Sequence, residues 1–137
     1  MTLHDGDVAV LAEQVAELIG TQLESPITVR IAPSARDDPY RWGARSWNVY
    51  FDVTPVRGDT IGVWVPANDS PTVALHRLVD GLDELSETPT FWGAAFPYCV
   101  AGHRHASSVE VDGTDVLLRC PETGEEVARL RPEVPQP

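Results

Sequence analysis

Trp47-Asn48-Val49-Tyr50-Phe51-Asp52-Val53 alternates apolar with polar or amphipathic side chains over its whole length. Successive side chains of a β-strand point to opposite faces. The stretch therefore reads as a strand that buries Trp47, Val49, Phe51 and Val53, with Ser46, Asn48, Tyr50 and Asp52 on the other face. The turn Pro55-Val56-Arg57-Gly58-Asp59 leads to Ile61, Val63 and Val65, which repeat the period and make a hairpin. Upstream, Ile27, Val29 and Ile31 alternate with Thr28 and Arg30 as a further strand. A polar, proline-bearing loop from Pro33 to Gly43 joins it to the hairpin.

Two amphipathic helical patterns flank these strands. Val8, Leu11, Val15, Leu18 and Ile19 recur at three- and four-residue steps, predicting a helix over residues 8–24 with Asp7 as its cap and Ser25-Pro26 as its stop. Asn68-Asp69-Ser70-Pro71 is a helix start, with Ser70 as N-cap and Pro71 in the first turn. Leu75, Leu78, Val79, Leu82 and Leu85 carry that second helix to about Ser86, with Gly81 costing it about 1 kcal/mol relative to alanine. The fold class is α+β. An α-β-β-β-α core over residues 7–86 packs two helices on one face of an antiparallel sheet, setting Leu11, Val15, Leu18, Leu78 and Leu82 against the Trp47 face.

A C-terminal β-hairpin unit follows at residues 94–131. Ser108–Asp112 and Asp115–Arg119 flank Asp112-Gly113, a short hairpin signal. Pro121–Gly124 turns again, residues 125–130 form a last strand, and residues 132–137 are expected to fray. The chain of 137 residues is expected to fold as one domain.

The chemistry gathers in this unit. Cys99, His103, His105 and Cys120 hold both cysteines and two of the four histidines of the chain, in the spacing C-x3-H-x-H-x14-C. Two thiolates and two imidazoles suit a tetrahedral Zn²⁺, with four protein ligands leaving no position for water. The Asp112-Gly113 turn must then return Cys120 to the side of His105. Loss of such an ion is expected to loosen residues 97–131.

Composition excludes several alternatives. All ten basic residues are arginines, and the formal charge is −11. Affinity for nucleic acid comes largely from neutralising phosphates, so neither nucleic acid nor anionic lipid is an expected partner. The core order is also that of double-stranded-RNA-binding domains. However, its second helix opens on Asn68-Asp69-Ser70-Pro71, where such domains carry basic residues. No apolar run approaches the ~18 residues of a membrane span, and no basic leader opens the chain. The cytoplasm is the expected location, a reducing compartment where thiols serve as ligands more often than as disulfides.

Arg41, Trp42 and Arg45 form the candidate partner-binding patch, because Trp and Arg dominate interface hot spots. Tyr50 and Trp64 fall on the outer face of the sheet, where the C-terminal hairpins are expected to cover them.

Cys120-Pro121-Glu122-Thr123-Gly124 resembles the knuckle of zinc ribbons, with threonine where the second cysteine stands; His105 would complete the count. The run C-x3-H-x-H followed by a hairpin and Cys120-Pro121 also resembles a pattern in small uncharacterised proteins of high-GC actinobacteria, in which proline follows the second histidine and this chain has Ala106. That likeness covers about 30 of the 137 residues and implies a metal site but no activity. The expectation is a small acidic protein-binding protein of adaptor, accessory or immunity type, with a basic partner protein and a structural zinc. The alternative is a small metal-dependent enzyme in which water replaces one of the four groups.

Overall fold

The computed structural model describes residues 2–34, 45–54, 57–99 and 103–135. Helix α1 spans Asp5–Leu23, strands β1 to β3 span Thr28–Pro33, Ser46–Thr54 and Asp59–Pro66, and helix α2 spans Pro71–Asp80. A 3-10 helix continues from Gly81 to Glu87, and strands β4 to β6 cover Ser108–Asp112, Asp115–Arg119 and Glu126–Leu130. Two antiparallel sheets result, in the orders β1-β2-β3 and β4-β5-β6. The fold is α+β, with the core order read from the sequence.

The β2 register is the expected one. Val49 lies opposite Ile31 on β1 and Val63 on β3, and Phe51 lies opposite Val29 and Ile61. Trp47, Val49, Phe51 and Val53 are buried in one cluster with Leu11, Val15, Leu78 and Leu82, and Leu18 packs at its margin. A slip of one residue would have turned this whole set to solvent.

Four details depart from the expectation. First, α1 begins one turn early, at Asp5 with His4 as N-cap. Asp7 occupies the third position and reaches back to accept the His4 amide at 2.8 Å, while Asp5 accepts from the Trp47 indole at 2.8 Å. Asp7 thus caps from inside the helix. Second, α2 ends at Asp80 although its apolar stripe continues through Leu82 and Leu85, both buried. At Gly81 the 3-10 helix begins and the backbone presses on β3. A Cβ there would stand 2.5 Å from Val63 Cγ2, so this glycine permits close packing as well as weakening the helix.

Third, the second sheet packs on α2 and so is not the cover for the Tyr50 and Trp64 face. Thr72 donates its hydroxyl to the Thr114 carbonyl at 2.8 Å, and the His76 ring meets the Val109 carbonyl at 3.3 Å. Val116 and Leu118 join the same core cluster, which leaves α2 between β3 and the second sheet. On the outer face of the first sheet, Arg30 stacks on Tyr50 and Arg77 on Trp64, at 4.9 and 5.7 Å from the ring centroids. Fourth, the C-terminal segment is anchored as far as it is described. Val134 is buried, and Gln14 donates to the Arg131 carbonyl and accepts the Glu133 amide at 2.7 and 3.0 Å. No helix among the described residues is long and apolar enough to cross a membrane.

Candidate metal centre

The four expected ligands converge. One donor atom from each of Cys99, His103, His105 and Cys120 lies within 4.8 Å of all the others. His103 Nδ1 is 3.3 Å from Cys120 Sγ and 3.7 Å from Cys99 Sγ, and His105 Nε2 is 3.9 Å from Cys120 Sγ. A tetrahedral zinc with bonds of ~2.3 Å to sulfur and ~2.0–2.1 Å to nitrogen implies donor separations of about 3.4–3.8 Å. These three distances are close to edges of a metal-sized tetrahedron, and the remaining donor pairs stay within 4.8 Å. Neither cysteine is in a disulfide.

Two backbone constructions produce the convergence. The first is a loop closed at its base by the Tyr98–Ala106 bridge and by Ser107, whose amide and hydroxyl donate to the Pro97 carbonyl at 3.0 and 3.1 Å. Phe96 anchors this loop in the core, and Tyr98 packs edge-on against it at 5.0 Å between centroids. The Tyr98 amide also donates to Gln22 on α1 at 3.1 Å, which ties the loop to the first helix. The second construction is the turn after β5. Because Ser108 pairs with Arg119, the residues just outside the hairpin meet: Cys120 returns beside His105, as the hairpin requires.

That second turn is a knuckle in geometry as well as in sequence. The Cys120 amide donates to the Glu125 carbonyl at 2.7 Å, and the Gly124 amide to the Cys120 carbonyl at 2.8 Å. Gly124 has φ +78°, a conformation that a side chain would strain. The Thr123 amide then points at the sulfur, 3.4 Å away. In the sequence Thr123 stands only for a missing ligand. Its amide is a functional group that the turn spacing Cys-Pro-x-x-Gly could have revealed.

The electrostatics favour a thiolate. Burial alone would raise the Cys120 thiol, but hydrogen bonds from the Thr123 hydroxyl and amide, the Glu122 amide and the Cys99 thiol outweigh it and bring it down to about 6. The Ala106 carbonyl, 3.1 Å from His105 Nδ1, holds His105 above its ordinary value against desolvation, with smaller contributions from Cys120 and Glu122. With Nδ1–H engaged by that carbonyl, the Nε2 lone pair faces the cluster, the arrangement usual for a metal-bound imidazole. Glu122, missed in the sequence, stands 3.3 Å from the same Nε2 with its carboxylate largely exposed.

Of the expected partner patch, Arg41 and Trp42 lie outside the described residues. Arg45 is exposed immediately before β2, and its carbonyl accepts the Ala67 amide at 2.8 Å. No protein-family model matches this sequence, and no curated protein and no solved structure matches it.

Proposed function

We propose that this protein is a small, acidic, non-enzymatic protein-binding module whose C-terminal unit is closed by a structural zinc on Cys99, His103, His105 and Cys120. The observation that carries the zinc reading is the four-donor cluster, with three separations of 3.3–3.9 Å and all within 4.8 Å. Four protein donors complete the coordination of the ion and leave no position for a reacting water. The knuckle amide on Cys120 and the carbonyl behind His105 are supporting groups of the kind that hold such ligands in place. Borderline Zn²⁺ fits two soft thiolate sulfurs with two imidazoles better than Ca²⁺ or Mg²⁺, which prefer oxygen.

A basic partner protein fits the formal charge of −11, which accelerates encounter with positive surfaces. A reducing compartment such as the cytoplasm would keep both thiols available to the metal. Elemental analysis of protein purified without chelator tests the metal, with one zinc per chain expected. X-ray absorption at the zinc edge should report two sulfur and two nitrogen ligands.

One observation favours a second reading, the small metalloenzyme. Glu122 is placed where it could accept a proton from a water on the ion, if His105 gave up its position. Absorption data showing three protein ligands and one oxygen would select this reading and sink the structural one.

A further inference from the structure

Helix α1 turns one side to the core, and its other side is more than a solvated surface. Along it lies an open groove of about 750 Å³, floored by Ala9, Val10, Ala16 and Ile27. Its rim carries the carboxylates of Glu13, Glu17 and Glu133. Gln14 holds the Glu133 wall in place through its bonds to the Arg131 carbonyl and the Glu133 amide.

Among the described residues, the charge on this rim has no ion-pair partner. Arg30, Arg77, Arg119, Arg129 and Arg131 are each engaged by a carboxylate elsewhere. No ion pair among the described residues involves Glu13, Glu17 or Glu133, and no arginine lines the groove. A solvated acidic helix face needs no apolar floor; this one has both the floor and the acids.

We propose that the groove is the docking site for a basic amphipathic α-helix of a partner protein, an inference that rests on the protein-binding reading above. Length, floor and chemistry each select a helix. From Ala9 to Thr21 the groove follows α1 for about 18 Å, just over three turns at ~1.5 Å per residue. The small side chains of Ala9 and Ala16 let a second helix axis approach closely, since interaxial distance follows side-chain size at the contact. An extended peptide would draw its affinity from main-chain bonds to a sheet edge, whereas side chains, most of them from α1, line this groove. Lysine or arginine stems can cover Val10 and Ile27 while their heads reach the three carboxylates.

The test uses the metal-loaded full chain. The probe is a fluorescein-labelled leucine–lysine helix of about eighteen residues, long enough to fold on contact. A counterpart with glutamate in place of lysine is the control. Binding is followed by anisotropy and mapped by amide chemical shifts. The basic helix should shift residues 9–21, 25–27 and Glu133, and the acidic one should not bind. Reversing Glu13→Arg with Glu17→Arg should weaken binding about tenfold or more, and the same charge change at Asp83→Arg with Glu84→Arg less than about twofold. Ala9→Trp, which alters no charge, should also weaken it by blocking the floor. Shifts that map to another surface, or equal effects from the two reversals, overturn the groove and leave the protein-binding reading standing. Failure of the basic helix to bind anywhere overturns both.

Discussion

Thr123 donates its backbone amide to Cys120 Sγ across 3.4 Å, from the position where a zinc knuckle carries its second cysteine. The turn has kept the part of the knuckle that belongs to the backbone and moved the missing donor elsewhere. His105, across the hairpin, supplies it from a different segment. One half of the site is thus local and the other depends on the β4–β5 hairpin closing, so affinity for a metal would be coupled to hairpin geometry.

Replacing Cys120 or Cys99 with serine should lower Tm by roughly 10 °C or more, equivalent to ~3 kcal/mol in a chain of this size. His76→Ala, removing one part-buried contact to the Val109 carbonyl, should cost far less. Thermal melts of the three variants in zinc-containing buffer check this. Equal losses would mean that the cysteines act only as small apolar side chains.

Chelation should loosen the two ligand loops and spare most of the sheet they flank. The sequence expectation is loosening of all residues 97–131; burial of Val116 and Leu118 in the same cluster as Leu11 and Phe51 predicts instead that β5 resists. Hydrogen exchange after zinc removal should accelerate at residues 97–107 and 119–125, with β5 staying protected. Uniform acceleration from residue 97 to 131 would show that the zinc holds the entire unit. An unchanged Tm with chelator would remove the structural role.

Acid should act through Asp59. This buried carboxylate accepts from the Thr54 and Thr90 hydroxyls, from the Thr90 amide at 2.9 Å, and from Thr88. Burial would raise it, but these bonds prevail and bring it from 3.8 to about 2. A carboxyl depressed by folding adds stability that is complete above its unfolded value and disappears as pH falls through its folded value. The native protein should therefore exceed Asp59→Asn in stability at pH 7, with the gap closing between about pH 4 and pH 2. Denaturant melts across that range would contradict this if the gap stayed constant.

Gly81→Ala should destabilise the protein even though alanine is the better helix former. The added methyl would meet Val63 Cγ2 at 2.5 Å. Overpacking of this kind costs about 1–3 kcal/mol against a propensity gain of at most ~1 kcal/mol. Adding Val63→Ala should recover part of the loss, giving a double-mutant cycle with clear coupling. A neutral or stabilising Gly81→Ala would mean that β3 shifts freely beneath the 3-10 helix.

Much of the fold was legible in short-range pattern. The alternation from Trp47 to Val53 and the Ser70-Pro71 start express a local period and a cap and are found where the pattern put them. The stripe from Leu75 to Leu85 is buried as expected, although the α-helix gives way to a 3-10 helix at Gly81. The hairpin was legible too, because Asp112-Gly113 selects a tight turn from its own backbone preferences. Residue types and spacing alone named Cys99, His103, His105 and Cys120 as a ligand set. What tertiary structure decided is everything that depends on two distant segments meeting. It placed the second sheet on α2, where Thr72 and His76 find carbonyls across a sequence gap, and it drew Val134 into the core. It let Asp5 take the Trp47 indole and so begin α1 a turn early. It turned Gly81 from a weak helix position into a contact with Val63, set the Ala106 carbonyl and Glu122 around His105, and lined the α1 groove with three carboxylates. A periodicity reports which side of an element is apolar; only packing decides what covers it.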